Sequence, residues 1–154
     1  MIKLKPLAFQ LLLSLGVGGL AALLTRGSME AYGNLRQPPL SPPGWVFPAV
    51  WSLLYLLMAV AAYLVWMKGG PGRDRALALY GAQLGANFLW PLLFFNLQNY
   101  ALAFFWLVLL WGLVLVTIWR FYRVSPAAGR LLVPYLVWVT FAGYLNAGVW
   151  LLNP

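Results

Sequence analysis

Five apolar runs without a single charged residue, at residues 7–24, 45–67, 76–95, 101–119 and 131–152, divide the chain. Each falls within the ~17–25 residues that cross a bilayer as a helix, the form in which a segment satisfies its own backbone hydrogen bonds. A membrane β-barrel is excluded, because its strands would read as short segments of alternating hydrophobicity. The runs take up most of the 154 residues, and only 8% of the chain is charged, against about a quarter in a soluble domain. The expected fold is therefore all-α: one polytopic membrane domain, a five-transmembrane-helix bundle over residues 1–154. The first run could instead be a signal peptide, since Lys3 and Lys5 precede it and Gly19-Leu20-Ala21 resembles a cleavage site. Its length exceeds the ~7–15-residue core of such a signal, which favours a span.

The residue inventory narrows the chemistry. There is no Cys and no His, and the only acidic side chains, Glu30 and Asp74, lie outside the runs. Disulfides, thiol nucleophiles, zinc sites and imidazole or thiolate ligation of haem iron are thereby excluded, as is a paired-carboxylate site within the membrane. No metal and no obligatory cofactor are expected. Ten Lys/Arg leave a net charge of +8. Lys3, Lys5, Lys68, Arg73, Arg75, Arg120, Arg123 and Arg130 fall on one side of the spans, Arg26 and Arg36 on the other. The positive-inside rule then places the amino terminus in the cytoplasm and the carboxyl terminus outside. The excess charge reads as topology and attraction to anionic membrane lipid. No nucleic-acid partner is expected, because no basic stripe lies on a soluble face.

The outer loop, residues 25–44, carries Pro38-Pro39-Leu40-Ser41-Pro42-Pro43-Gly44, which predicts a stiff, extended strap. It can serve as a lid over a cavity or as a plain linker into the second span. Gly81 and Gly85 form a GxxxG pair on span three, where close backbone approach suits either a homodimer or packing inside the bundle. Ser14, Gly18 and Ala22 form a similar stripe on span one, read as intramolecular. Gln83, Asn87, Trp90 and Phe94 share a face of span three; Phe47, Trp51 and Tyr55 share one on span two. Trp138, Phe141, Ala142 and Leu145 do so on span five. Polar groups within a span need partners, either as interhelical glue or at a cavity. At ~1.5 Å per residue, Trp51, Asn87 and Trp90 lie ~8–12 Å below the outer ends of their spans, Leu145 and Ala142 ~10–15 Å, and Trp138 ~21 Å.

These motifs resemble the tryptophan-rich sensory protein/translocator protein (TspO/MBR) family. The resemblance is carried by Pro42-Pro43-Gly44-Trp45-Val46-Phe47-Pro48 with Trp51 and Leu54-Tyr55, by Gln83-Leu84, Asn87, Trp90 and Phe94-Phe95, and by Pro134-Tyr135-Leu136-Val137-Trp138 with Leu145-Asn146. It implies a five-helix bundle, often a homodimer, with a cavity open toward the first loop that takes a planar hydrophobic small molecule. The implied ligand is a tetrapyrrole such as protoporphyrin. By position, the implied ligand-lining residues are Tyr32 and Pro42 on the loop, Phe47, Trp51 and Tyr55, then Asn87, Trp90 and Phe94, and finally Trp138, Ala142 and Leu145. The expected function is a membrane porphyrin receptor or sensor. The alternatives are light-dependent porphyrin degradation, for which Trp51 and Trp138 are the implied redox side chains, and facilitated translocation of porphyrins or small amphipathic molecules. Two departures stand out. Leu40 occupies the place of a Trp usual in the family's loop, which weakens the expected stacking under the lid. Ala147 and Leu151 replace the Tyr and basic residue of the animal cholesterol motif, so no cholesterol binding is implied.

Overall fold

The computed structural model describes residues 2–153. Helix α1 (Leu4–Thr25) continues through a 3-10 turn, Arg26–Ser28, into the short α2 (Met29–Gly33). Then come α3 (Val46–Lys68), α4 (Arg73–Pro91) with a π turn over Leu92–Asn96, and α5 (Tyr100–Val124). The short α6 (Pro126–Leu131) leads into α7 (Val133–Leu152). The described residues contain no strand, and five helical stretches among them are long and apolar enough to cross a membrane. The fold is all-α, as the five runs predict.

Several helices outrun their apolar stretches. Helix α5 passes residue 119 and carries Arg120 and Arg123 in helical conformation. Apolar length measures the hydrocarbon layer, whereas backbone pairing continues into the headgroup region, and basic residues at a helix C-terminus complement its dipole. The local signals are ordinary ones. Asn99 caps α5 by accepting from the Leu102 N–H at 3.1 Å, and Ser125 caps α6 with Pro126 in its first turn.

The spans close into a ring. Helix α1 packs on α3, α3 on α6, α6 on α5, α5 on both α7 and α4, and α4 back on α1. The surface is inverted relative to a soluble protein: Leu12, Leu53, Phe105 and Val137 are more than half exposed, as suits side chains that face lipid tails. At the α1–α3 contact, a Cβ on Gly18 would lie 2.5 Å from the Tyr55 ring, and the Ser14 hydroxyl is hydrogen-bonded to that of Tyr80. The Ser14-Gly18 part of the small-residue stripe thus works within the chain.

The outer loop is only partly the extended strap expected. Residues 26–33 are helical and extend the α1 rod. The proline segment then docks on the end of α7. Pro38 is buried against Gly148, where a Cβ would lie 2.4 Å from its ring. The Tyr144 hydroxyl donates to the Pro39 carbonyl at 2.5 Å. Asn153 Nδ2 donates to the Arg36 carbonyl at 2.8 Å, and the Arg36 N–H donates to Asn153 Oδ1 at 3.2 Å. Leu40 is 84% exposed with φ +70°, so its side chain points away from the bundle.

Substituting Gly18→Ala forces the Tyr55 ring aside and is expected to destabilise the bundle by about 1–3 kcal/mol, read as a lower midpoint in detergent thermal unfolding. Gly19→Ala, whose Cβ meets nothing within 4 Å, leaves that midpoint unchanged or slightly raised.

Candidate functional site

Gln83 and Asn87 on α4 and Asn146 on α7 are buried amides, carried by the two least apolar of the five spans. A chain of hydrogen bonds joins them to α3. The Tyr55 hydroxyl donates to Asn87 Oδ1 at 2.9 Å, Asn87 Nδ2 donates to the Tyr135 oxygen at 2.7 Å, and the Tyr135 hydroxyl donates to Gln83 Oε1 at 2.7 Å. All four residues are buried. Nearer the strap, Trp90 Nε1 donates to Asn146 Oδ1 at 3.0 Å, while Asn146 Nδ2 donates to the Tyr100 carbonyl at 2.9 Å. The amides on span three therefore do act as interhelical glue.

The backbones of α3 and α4 approach that of α7 only sparsely, and aromatic rings fill the interval. Trp51 lies 5.7 Å from Tyr55, 6.2 Å from Tyr135 and 6.5 Å from Trp138, centroid to centroid. Tyr32, carried inward on α2, contacts Phe47, Phe94 and Phe95 at 5.9, 5.7 and 5.3 Å. Phe94 and Phe95 are both buried although adjacent in sequence. The π turn after Pro91, closed by the Leu97 N–H to the Leu92 carbonyl at 3.0 Å, widens the helix where both rings turn inward.

Two hollows flank this layer. One, toward α7, is lined by Tyr32, Phe47, Trp51, Trp90, Phe94, Phe95, Trp138, Ala142, Leu145 and Asn146 and holds only ≈ 10 Å³, about the space one water molecule needs. The other, toward α1, measures ≈ 450 Å³, within the ~300–1,000 Å³ of small-molecule sites. Its walls are Gly18, Ala21 and Thr25 on α1, Phe47, Trp51 and Tyr55 on α3, and Asn87, Trp90 and Phe95. Leu23, Arg26 and Met29 line it as well and are exposed. Phe47, Trp51, Trp90 and Phe95 line both spaces, so one layer of side chains divides them.

The expected residues thus fall into groups. Tyr32, Phe94, Trp138, Ala142 and Leu145 face the closed space; Tyr55 and Asn87 face the open one; Phe47, Trp51 and Trp90 face both; Pro42 lines neither. Depth counting sets Trp138 well below the others, yet its ring lies 6.0 Å from that of Phe47, at the outer end of α3. The count assumes flush helix ends, whereas α7 rises past α3 to hold the strap. Asn146, Tyr135 and the α1 wall were missed as site residues. An amide or phenol at mid-span is a readable signal for the first two, but α1 offers only small residues. Gly81 and Gly85 are exposed, with nothing within 4 Å of an added Cβ, so this pair does not pack inside the bundle. Trp138 Nε1 is buried without a hydrogen-bond partner. Among the described residues, no group of His, Cys, Asp or Glu could hold a metal ion.

The TspO/MBR family profile matches residues 9–151. The chain is 44% identical over 124 residues to a tryptophan-rich sensory protein of Cereibacter sphaeroides, covering 80% of this chain and 77% of that one. It is 40% identical over 146 residues to a translocator protein of Bos taurus, with coverages of 92% and 86%. To a tryptophan-rich protein TspO of Archaeoglobus fulgidus it is 37% identical over 153 residues, 99% of each chain.

Replacing Tyr135 by Phe removes the donor to Gln83 and the acceptor for Asn87 while keeping the ring. The expected loss of stability is about 1 kcal/mol, since interhelical hydrogen bonds in membranes average ~0.6 and reach ~1.7. Thermal or denaturant unfolding of the purified protein in detergent checks it.

Proposed function

The chain belongs to the TspO/MBR family, and from that premise we propose that this integral multi-pass membrane protein is a receptor for a planar hydrophobic ligand of the porphyrin class. The observation that carries this reading is the aromatic layer of Phe47, Trp51, Trp90 and Phe95, which stands beside a ≈ 450 Å³ hollow. A flat conjugated ring gains from stacking on such side chains, at ~0.5–1.5 kcal/mol per aromatic pair beyond the area buried. Asn87 at the wall and the unpartnered Trp138 Nε1 behind the layer supply hydrogen-bonding groups. Arg26 at the mouth suits an acidic substituent such as a propionate. With no His or Cys in the chain, a metal-free ring is favoured over axially ligated haem.

Full entry of a large ring requires the dividing side chains to rotate, joining the two hollows under Tyr32 and the strap. In this reading the strap end is the outer face, and the amino terminus and most basic residues face the cytoplasm. The outward Gly81–Gly85 face is the contact for a homodimer.

Two measurements test these points. Protoporphyrin IX added to the full chain in detergent should quench Trp fluorescence saturably. Trp51→Phe should weaken the apparent affinity roughly tenfold, Asn87→Ala should weaken it as well, and Trp45→Phe, at an exposed position, should not. Unchanged fluorescence in the wild type would reduce the protein to a membrane scaffold. For assembly, Gly81→Leu/Gly85→Leu is expected to convert dimers to monomers in chemical cross-linking or sedimentation while the unfolding midpoint is kept. A wild-type monomer removes the dimer proposal.

A further inference from the structure

At the opposite end of the bundle, three arginines surround a space that the porphyrin reading leaves unused. Pro71, Gly72, Arg75, Arg120, Arg123 and Val124 line a cavity of ≈ 390 Å³ between the start of α4 and the end of α5. The Nε of Arg120 is buried with no hydrogen-bond partner. Neutralising charge is scarce here: Asp74 is the only acidic side chain in the segments around the cavity. Its carboxylate lies 3.2 Å from Arg73 Nε, and Arg73 is not part of the lining. Gly72, in left-handed conformation at φ +86°, caps the 19-residue α4, so the positive end of that helix dipole adds to the three guanidinium charges. Three cations and a helix N-terminus held around one cavity repel each other, unless an anion joins them.

The cavity's position points to the kind of anion. The Arg120 and Arg123 guanidinium carbons stand 5.0 and 5.2 Å from the ring centre of Trp119, and that side chain is 51% exposed. Leu115, Val116 and Tyr122 on the same stretch of α5 are exposed too, an apolar face suited to acyl chains with an aromatic at headgroup level. A ligand with a phosphate among the arginines and a hydrocarbon tail along α5 matches both features.

We propose that this cavity binds the phosphate of an anionic phospholipid headgroup, gripped by Arg75, Arg120 and Arg123 at the N-terminus of α4. The planar guanidinium fork suits bidentate contact with phosphate oxygens. The bound headgroup ties the start of α4 to the end of α5 and relieves the repulsion among the arginines. Such a discrete site differs from the general attraction of a basic surface, because it depends on these three side chains rather than on net charge.

The test is native mass spectrometry of the full chain in neutral detergent, with phosphatidylglycerol or phosphatidylcholine of matched acyl chains added. Wild-type protein should retain phosphatidylglycerol preferentially, and its unfolding midpoint should rise with that lipid and not with phosphatidylcholine. Arg75→Gln/Arg120→Gln/Arg123→Gln should abolish both effects. Lys3→Gln/Lys5→Gln/Lys68→Gln, which removes as much charge outside the cavity, should keep them. If the arginine triple variant does not fold, Arg120→Gln alone should weaken retention roughly tenfold, and Arg120→Lys should restore it only partly. Equal retention of the two lipids, equal losses in the two triple variants, or release of the lipid by millimolar inorganic phosphate would each overturn the assignment, the last by making free phosphate the occupant.

Discussion

Inside a bilayer an amide or a phenol has no water to fall back on, and its hydrogen bond must come from another helix. Here that requirement is met by the Tyr55–Asn87–Tyr135–Gln83 chain, with links of 2.7–2.9 Å. It joins α3, α4 and α7, whose backbones do not all pack directly, and so sets the width of the interval between them. Asn146 repeats the device nearer the strap by tying α7 to Trp90 and to the backbone at Tyr100. Helices drawn together by apolar contact alone would have little reason to stop at this spacing, since lipid tails are as apolar as their own side chains.

The aromatic layer follows from that spacing. An interval too wide for backbone contact and bounded by polar links is filled by the largest side chains available. Trp51, Trp90 and Trp138 meet there, with Phe47, Phe94 and Phe95 between them and the strap. Two irregularities in the backbone complete it: the π turn aims both Phe94 and Phe95 inward, and the helical start of the outer loop carries Tyr32 over them. The strap itself is held by α7, through Gly148, Tyr144 and Asn153, so the side of the layer facing α7 is closed. The side facing α1 stays open because Gly18, Ala21 and Ala22 present too little bulk to fill it.

Much of this was readable in the residues, and the remainder failed for physical reasons. Helix periodicity put Asn87, Trp90 and Phe94 on one face and Phe47, Trp51 and Tyr55 on another, and those faces do meet. It could not order the faces by height, because rise per residue measures depth only along one helix; hence the misplacement of Trp138 relative to Phe47. Proline content predicted stiffness in the outer loop but missed the helical turns at residues 26–33, which are stabilised as a continuation of α1. The Gly81–Gly85 spacing marked a close-approach surface, yet spacing alone is identical for an inward and an outward face.

The amino-acid sequence alone determined the five helical spans, the segregation of basic residues to one end and the exclusion of His- or Cys-dependent chemistry. These depend on transfer free energies and side-chain inventory, which are properties of segments taken one at a time. The tertiary structure decided which space among the helices is filled and which is open, and that Arg75 shares a cavity with Arg120 and Arg123, which lie far from it in sequence. Those outcomes rest on the relative heights, tilts and ring orientations of non-adjacent helices, and no local pattern encodes them.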